Sequence, residues 1–144
     1  MKIVLDTNVL LVSISSKSRY RPILEAFINE EFELCVTTDI LLEYEEIIKD
    51  HMGDRFAEYV LQLIENAPNV QWITKYYKWN LIETDADDNK FVDCAIACDA
   101  KYLVSDDKHF NVLLKIPFPK VDVLTAQEFK ERIEGKENAP QKDT

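Results

Sequence analysis

Ile3-Val4-Leu5-Asp6-Thr7-Asn8 is the stretch on which the reading of this chain turns. A short apolar run ends on a carboxylate, and two small polar residues follow. The run reads as a buried strand whose C-terminal end presents an acid. Asp6 then has two readings. It could cap a following helix or turn, or it could be a functional acid, with Thr7 and Asn8 forming a second polar layer that holds its rotamer or a metal-bound water.

Beyond Asp6, strands and helices are expected in alternation. Strands are expected over Lys2–Leu5, Phe32–Thr37, Val70–Ile73, Tyr102–Ser105 and Lys120–Leu124. Apolar residues at helical spacing predict a helix opening near Pro22 and running to about Glu30. A second, capped by Thr38 or Asp39, runs to about His51. Gly53 breaks it, and Asp54 caps the next helix, marked by Phe56, Tyr59, Val60, Leu63 and Ile64. Further helices are expected over Lys90–Ala100, Asp107–Leu114 and Ala126–Ile133, the last capped by Thr125. Tyr76 to Asn89 reads as irregular, and Pro117 and Pro119 as a linker. This order implies an α/β protein, a three-layer α/β/α sandwich around a mostly parallel central sheet. Residues 1–134 form one domain on this reading, and 135–144 a polar, frayed tail.

In such folds ligands collect beyond the C-terminal ends of the strands. Asp6 and Asp106-Asp107 stand at those ends, and Glu43 lies in the first turns of the helix after the second strand. Glu43 borders the buried face, with Ile40 three residues before and Ile47 four after. Glu45 borders the opposite edge about as well, and proximity to the helix start favours Glu43. Asp93 is embedded in Phe91-Val92-Asp93-Cys94-Ala95-Ile96-Ala97-Cys98, a helix expected to be largely buried. A carboxylate there needs a partner: Lys90 is the plain one, a metal cation the functional one. Of Asp106 and Asp107, one can cap a helix, which leaves the other for a ligand. Asp85, Asp87, Asp88 and Asn89 form a loop that can be merely solvated, and Asp88 is the member placed to reach the cleft.

Composition narrows the chemistry. The chain has 144 residues, 47% of them hydrophobic, which suits one globular domain. Two glycines argue against a Gly-rich phosphate loop. No apolar run approaches the ~20 residues of a membrane span, and Asp6 interrupts the N-terminal apolar stretch too early for a signal peptide. Cys35, Cys94 and Cys98 read as buried thiols in a reducing cytoplasm. Cys94 and Cys98 are one helical turn apart, but His51 and His109 supply no paired zinc-ligand spacing. The formal net charge of −10 lacks the basic balance of most nucleic-acid binders. It does not exclude an enzyme that meets phosphates through bound cations.

Carboxylates gathered in one cleft repel each other, and a divalent cation with oxygen ligands, Mg²⁺ or Mn²⁺, resolves the repulsion. Two such ions roughly 3.5–4 Å apart cleave phosphodiesters by activating water and stabilising the leaving oxygen. With two histidines, no Ser-His-Asp set is evident. Lys17, Arg19 and Arg21 form a basic loop after Asp6 that could position substrate phosphates, its plainer reading being a solvated loop.

These motifs, taken in order, resemble the PIN domain of metal-dependent ribonucleases and of VapC-like toxins in bacterial and archaeal toxin–antitoxin pairs. Ile3-Val4-Leu5-Asp6-Thr7-Asn8-Val9-Leu10 is similar to the first acidic motif, and Thr38-Asp39-Ile40-Leu41-Leu42-Glu43-Tyr44 to the second, whose acid falls on Glu43. Asp85-Ala86-Asp87-Asp88-Asn89-Lys90-Phe91-Val92-Asp93-Cys94-Ala95 resembles the third, with the central acid on Asp93. Asp88 matches a further acid of that motif. Leu103-Val104-Ser105-Asp106-Asp107-Lys108-His109-Phe110 resembles the fourth, where Asp107 follows Ser105 by two. Ser105 stands where Thr is usual, and Asp106 where Gly or Arg is frequent. The resemblance spans residues 1 to about 130. It implies catalytic Asp6, Glu43, Asp93 and Asp107, Mg²⁺ or Mn²⁺, an RNA substrate and frequent homodimers. For a toxin it also implies a cognate antitoxin. A phosphoacceptor or phosphatase of another α/β class, and a non-catalytic RNA- or protein-binding module, are the alternatives. A haloacid-dehalogenase-type site wants an acid where Asn8 stands, and a receiver domain wants a lysine at a strand end where Lys120 begins one.

Overall fold

A computed structural model of the chain describes residues 1–74 and 77–135. The run around Val4 forms strand β1 (Lys2–Leu5), the middle strand of the sheet. Ile3, Val4 and Leu5 are at most 2% exposed, as a strand covered on both faces requires. β2 (Glu33–Val36) and β3 (Val70–Trp72) lie to one side, β4 (Tyr102–Val104) and β5 (Val123–Leu124) to the other. The order is β3-β2-β1-β4-β5 and every pairing is parallel. The architecture is the three-layer α/β sandwich expected.

The chain winds outward from β1 through β2 to β3, then returns to place β4 on the other side of β1. The order therefore reverses between β1 and β4, and such a switch point opens a crevice beyond the strand ends. Ile3 is in register with Tyr102 and Leu5 with Val104, which brings the residues following both strands side by side. Asp6 is the first residue of one edge of that crevice, Ser105 of the other.

Helix α1 (Thr7–Val12) starts directly after Asp6. α2 (Arg21–Ile28) carries Pro22 in its first turn. α3 (Thr38–Met52) is capped by Thr37 rather than by Thr38 or Asp39: Thr37 has extended dihedrals, and its hydroxyl accepts from the Ile40 N–H at 3.3 Å. Asp39 sits in the first turn, where a carboxylate complements the helix dipole. α4 (Asp54–Asn66) follows after Gly53 alone, whose φ of 92° is open to glycine at little cost. α5 (Asn89–Ala97) ends three residues earlier than expected, and α6 (Ala126–Ile133) opens with a capping box of Thr125 and Glu128. Lys108–Lys115 is a 3₁₀ segment instead of an α-helix. The last strand keeps two of its five expected residues, Val123 and Leu124.

The aromatic core joins Phe27, Phe32 and Phe129, with ring centroids 5.2–6.1 Å apart. Phe32 precedes β2, so this core fills the N-terminal end of the sheet and leaves the opposite end to polar groups. Among the described residues no helix is long and apolar enough to cross a membrane. The tail expected at 135–144 lies outside the described residues apart from Gly135.

Candidate functional site

Asp6 is 7% exposed and is the N-cap residue of α1, yet its side chain makes no capping hydrogen bond. It turns instead toward β4. The Asp6 N–H donates to the Val104 carbonyl at 2.9 Å, and the Ser105 hydroxyl donates to Oδ2 of Asp6 at 2.7 Å. Ser105 Oγ also accepts from the Asp107 N–H at 3.0 Å, so one hydroxyl ties the two strand-end acids together. Burial pushes the Asp6 carboxyl up to about 6. The Ser105 hydrogen bond opposes this, and the charges of Asp88, Asp107 and Glu43 add to it. Those three acids therefore share a field with Asp6.

Glu43 reaches this group from α3. The helix is anchored by Tyr44, fully buried, whose hydroxyl donates to the Leu5 carbonyl at 2.7 Å, one residue before Asp6. The Thr7 hydroxyl donates to one Glu43 oxygen, and the Lys90 ammonium lies 2.6 Å from the other. Lys90 also pairs with Asp87 at 2.8 Å. Burial would lower this ammonium, but the Asp87 and Glu43 carboxylates together hold it above its usual value. Glu45, the rival of Glu43 by periodicity, is exposed.

Asp88, immediately before α5, completes the set. Its carboxylate is 3.2 Å from Nδ1 of His109, which is also 3.4 Å from Asp107 and 3.7 Å from Asp85. Burial raises the Asp88 carboxyl, against the His109 hydrogen bond. His109 is in turn raised, chiefly by that bond. One atom each from Asp85, Asp88 and His109 would fit around a cation.

The third-motif acid expected at Asp93 is not in this cluster. Five residues along a helix is a rotation of about 140° from Asp88, which turns Asp93 to another side of α5. Lys90, the plain partner weighed for it, is engaged with Glu43 and Asp87, and Asp93 Oδ1 accepts the Trp79 backbone N–H at 3.0 Å. Burial raises its carboxyl, while that N–H and the Lys78 charge oppose the rise. One turn earlier, the Asn89 side chain accepts from the Ile82 N–H and donates to the Ile82 carbonyl, both at 2.9 Å. Asn89 and Asp93 thus pin the strap Trp79–Ile82 along α5, and Asn80, at φ 53°, bends it between the two anchors.

Asp106 turns out of the cleft too. Its carboxylate accepts the Ala126 N–H at 2.9 Å and supplements the cap of α6. Asn8 is exposed on α1, so of the two polar residues after Asp6 it is Thr7 that touches an acid. In the basic loop, Arg21 donates to the Ile14 carbonyl and pairs with Glu25 at 3.3 Å. Lys17 and Arg19 are exposed, in the segment beyond the far end of α1.

The cleft thus holds Asp6, Glu43, Asp88 and Asp107, all oxygen donors, with negative charges raising one another. This is the donor chemistry of a hard divalent cation. Sequence reasoning missed Tyr44 as an anchor, because a tyrosine on an apolar helix face looks like core. It missed the Lys90–Glu43 pair because the two lie far apart in the chain. Asn89 carried a usable signal: a polar side chain opening an otherwise apolar helix.

A family model described as the PIN domain matches residues 2–109. No match is found among curated proteins. Among solved structures, the chain is similar to VapBC2 from Rickettsia felis bound to a DNA fragment from their promoter. That likeness has 17% identity and a TM-score of 0.57, and covers 87% of this chain and 98% of that one. It is similar also to the PIN domain of human SMG5, with 11% identity and a TM-score of 0.53, covering 92% of this chain and 99% of that one. At these identities the likeness is one of fold.

Proposed function

The chain belongs to the PIN-domain family, and on that premise we propose that it is a metal-dependent endoribonuclease, the toxin of a toxin–antitoxin pair. The observation that carries the reading is the meeting of Asp6, Glu43, Asp88 and Asp107 at the switch point between β1 and β4. Those four would hold Mg²⁺ or Mn²⁺, with Asp88 in the role expected for Asp93. Such a cation, when bound, polarises phosphoryl oxygens and makes water nucleophilic at neutral pH.

The remaining groups prepare the acids. Ser105 holds Asp6 and aligns the backbone of Asp107. Thr7 and Lys90 hold the two oxygens of Glu43, so that its rotamer is set before substrate arrives. The Tyr44 hydroxyl keeps the α3 register against β1. The toxin role, with an antitoxin partner and a homodimer in the cytoplasm, draws support from the likeness of the motifs to VapC-like toxins and from the fold shared with VapBC2.

Cleavage of a labelled RNA with Mn²⁺ or Mg²⁺ tests the reading. Activity is expected to vanish with EDTA and in Asp6→Asn and Asp88→Asn. Robust cleavage that survives either substitution overturns the site. Co-expression with a neighbouring small open reading frame is expected to relieve growth arrest if the toxin role holds.

A further inference from the structure

One exposed surface is unlike the rest of this acidic molecule. Tyr77 is 70% exposed and Phe118 80%. They flank Trp79, with ring centroids 4.8 Å and 6.4 Å from it and interplanar angles of 69° and 90°. Edge-to-face contacts of this kind order the rings without hiding the faces of the outer two. Such solvent exposure of large rings is costly unless something covers them.

The segments that supply the rings are also unusual in charge. Tyr77–Ile82 contains no acid and carries Lys78. Lys108–Val121 contains no acid and carries Lys108, Lys115 and Lys120. In a chain with 27 acids and a net charge of −10, the two segments that supply the rings are purely basic. One of these lysines, Lys120, pairs with Asp122 at 3.3 Å. Exposed rings on segments that carry lysines and no acid make a chemistry that binds unpaired bases by their faces and the backbone by its charge.

The surface also adjoins the acids. Trp79 is fixed by its N–H to Asp93, and its neighbours Lys78 and Asn80 line one pocket with Asp39, Asp87, Asp93 and Lys90. Lys90 is in turn bound to Glu43. The strap therefore connects the rings to the cleft through contacts on a single helix, α5.

We propose that Tyr77, Trp79 and Phe118, with Lys78, form a base-stacking platform that seats single-stranded nucleic acid beside the acidic cleft. The proposal rests on the nuclease reading for what happens to the strand, and adds where the strand lies. On such a surface a single strand seats and a duplex does not, because the bases of a duplex have no free faces.

The test is anisotropy of a fluorescein-labelled 12-nucleotide oligo(U), with EDTA present and at low salt, so that no cleavage occurs. The wild type is expected to bind it and to bind its duplex with oligo(A) at least about tenfold more weakly. Tyr77→Ala and Phe118→Ala, both at exposed positions, are each expected to weaken binding by roughly 5- to 100-fold. In a parallel cleavage assay with Mn²⁺ the same variants are expected to raise KM and to leave kcat within about twofold. Binding with no cleavage would remove the nuclease reading and keep the platform. Cleavage with KM unchanged in both variants would remove the platform and keep the nuclease. Flat anisotropy for the wild type overturns the platform and returns the face to a protein partner.

Discussion

Asp6 and Asp93 are both buried carboxylates, 7% and 3% exposed, and burial raises the pKa of each. Their surroundings separate them. Asp93 receives a backbone N–H from Trp79 and the field of Lys78, and holds a strap in place. Asp6 receives one hydroxyl and faces three other acids. A buried acid that closes a hydrogen bond to the main chain contributes to the fold. One held among like charges costs the fold stability until a cation arrives. Burial alone does not distinguish the two; the neighbours do.

The comparison breaks most readily on activity. Asp6→Asn and Asp88→Asn are expected to lower the cleavage rate by at least ~10³-fold, about 4 kcal/mol of barrier. Asp93→Asn, which keeps an oxygen for the Trp79 N–H, is expected to stay within about tenfold of wild type. Initial rates at saturating Mn²⁺ decide it, and an Asp93→Asn loss as deep as that of Asp88→Asn would erase the distinction drawn here.

Stability should respond in opposite directions. Asp93→Ala leaves the Trp79 N–H without an acceptor and is expected to cost about 1–3 kcal/mol. Asp6→Asn removes a buried charge but keeps an acceptor for Ser105, and in EDTA at pH 7 is expected to stabilise by about 1–3 kcal/mol. Urea unfolding measures both, and a destabilised Asp6→Asn would mean that the acid cluster is not strained.

The pH dependence sharpens the same point. A carboxyl raised from 3.8 to about 6 on folding contributes stability that is present below 3.8 and is lost as pH rises through about 6. In EDTA, the advantage of Asp6→Asn over wild type should therefore vanish as pH is lowered from 7 to 4. Saturating Mn²⁺ should shrink it at pH 7, since the cation binds the carboxylate form. A difference independent of pH would assign the effect to packing.

The smallest expected effect is local. The Trp79 and Ile82 amides are bonded, in a segment without helix or strand, and should exchange more slowly than free amides, about tenfold per 1.4 kcal/mol of local stability. Asp93→Ala should release Trp79 more than Ile82, which Asn89 still holds. Exchange read by NMR or mass spectrometry shows whether the two anchors act separately.

The order of strands and helices was legible because apolar periodicity reports which residues are buried, and the three-layer sheet follows from alternation. Asp6, Glu43 and Asp107 could be picked out as candidates because strand ends and first helical turns converge in such a sheet. The sequence singles out Asp93 and holds Asp88 only as a further metal ligand, for a related reason. An apolar helix announces that Asp93 is buried, but not whether its neighbour is a cation or the N–H of a strap fourteen residues earlier. The residue pattern leaves Asp106 and Asp107 open, and both carboxylates accept a backbone N–H: Asp106 from Ala126, twenty residues downstream, and Asp107 from His109, whose ring also faces Asp88. Long-range polar pairs leave no period in the chain.

The strap has a consequence for how such a protein can change. Its hold on α5 comes from the main chain of Trp79 and Ile82, met by two side chains that belong to the helix. The Tyr77 side chain takes no part in that hold and can be exchanged while the anchors stay, whereas Asn80 keeps the positive φ of the bend and Lys78 lends its charge to Asp93. Variation can therefore accumulate at one position of the strap without disturbing its anchors.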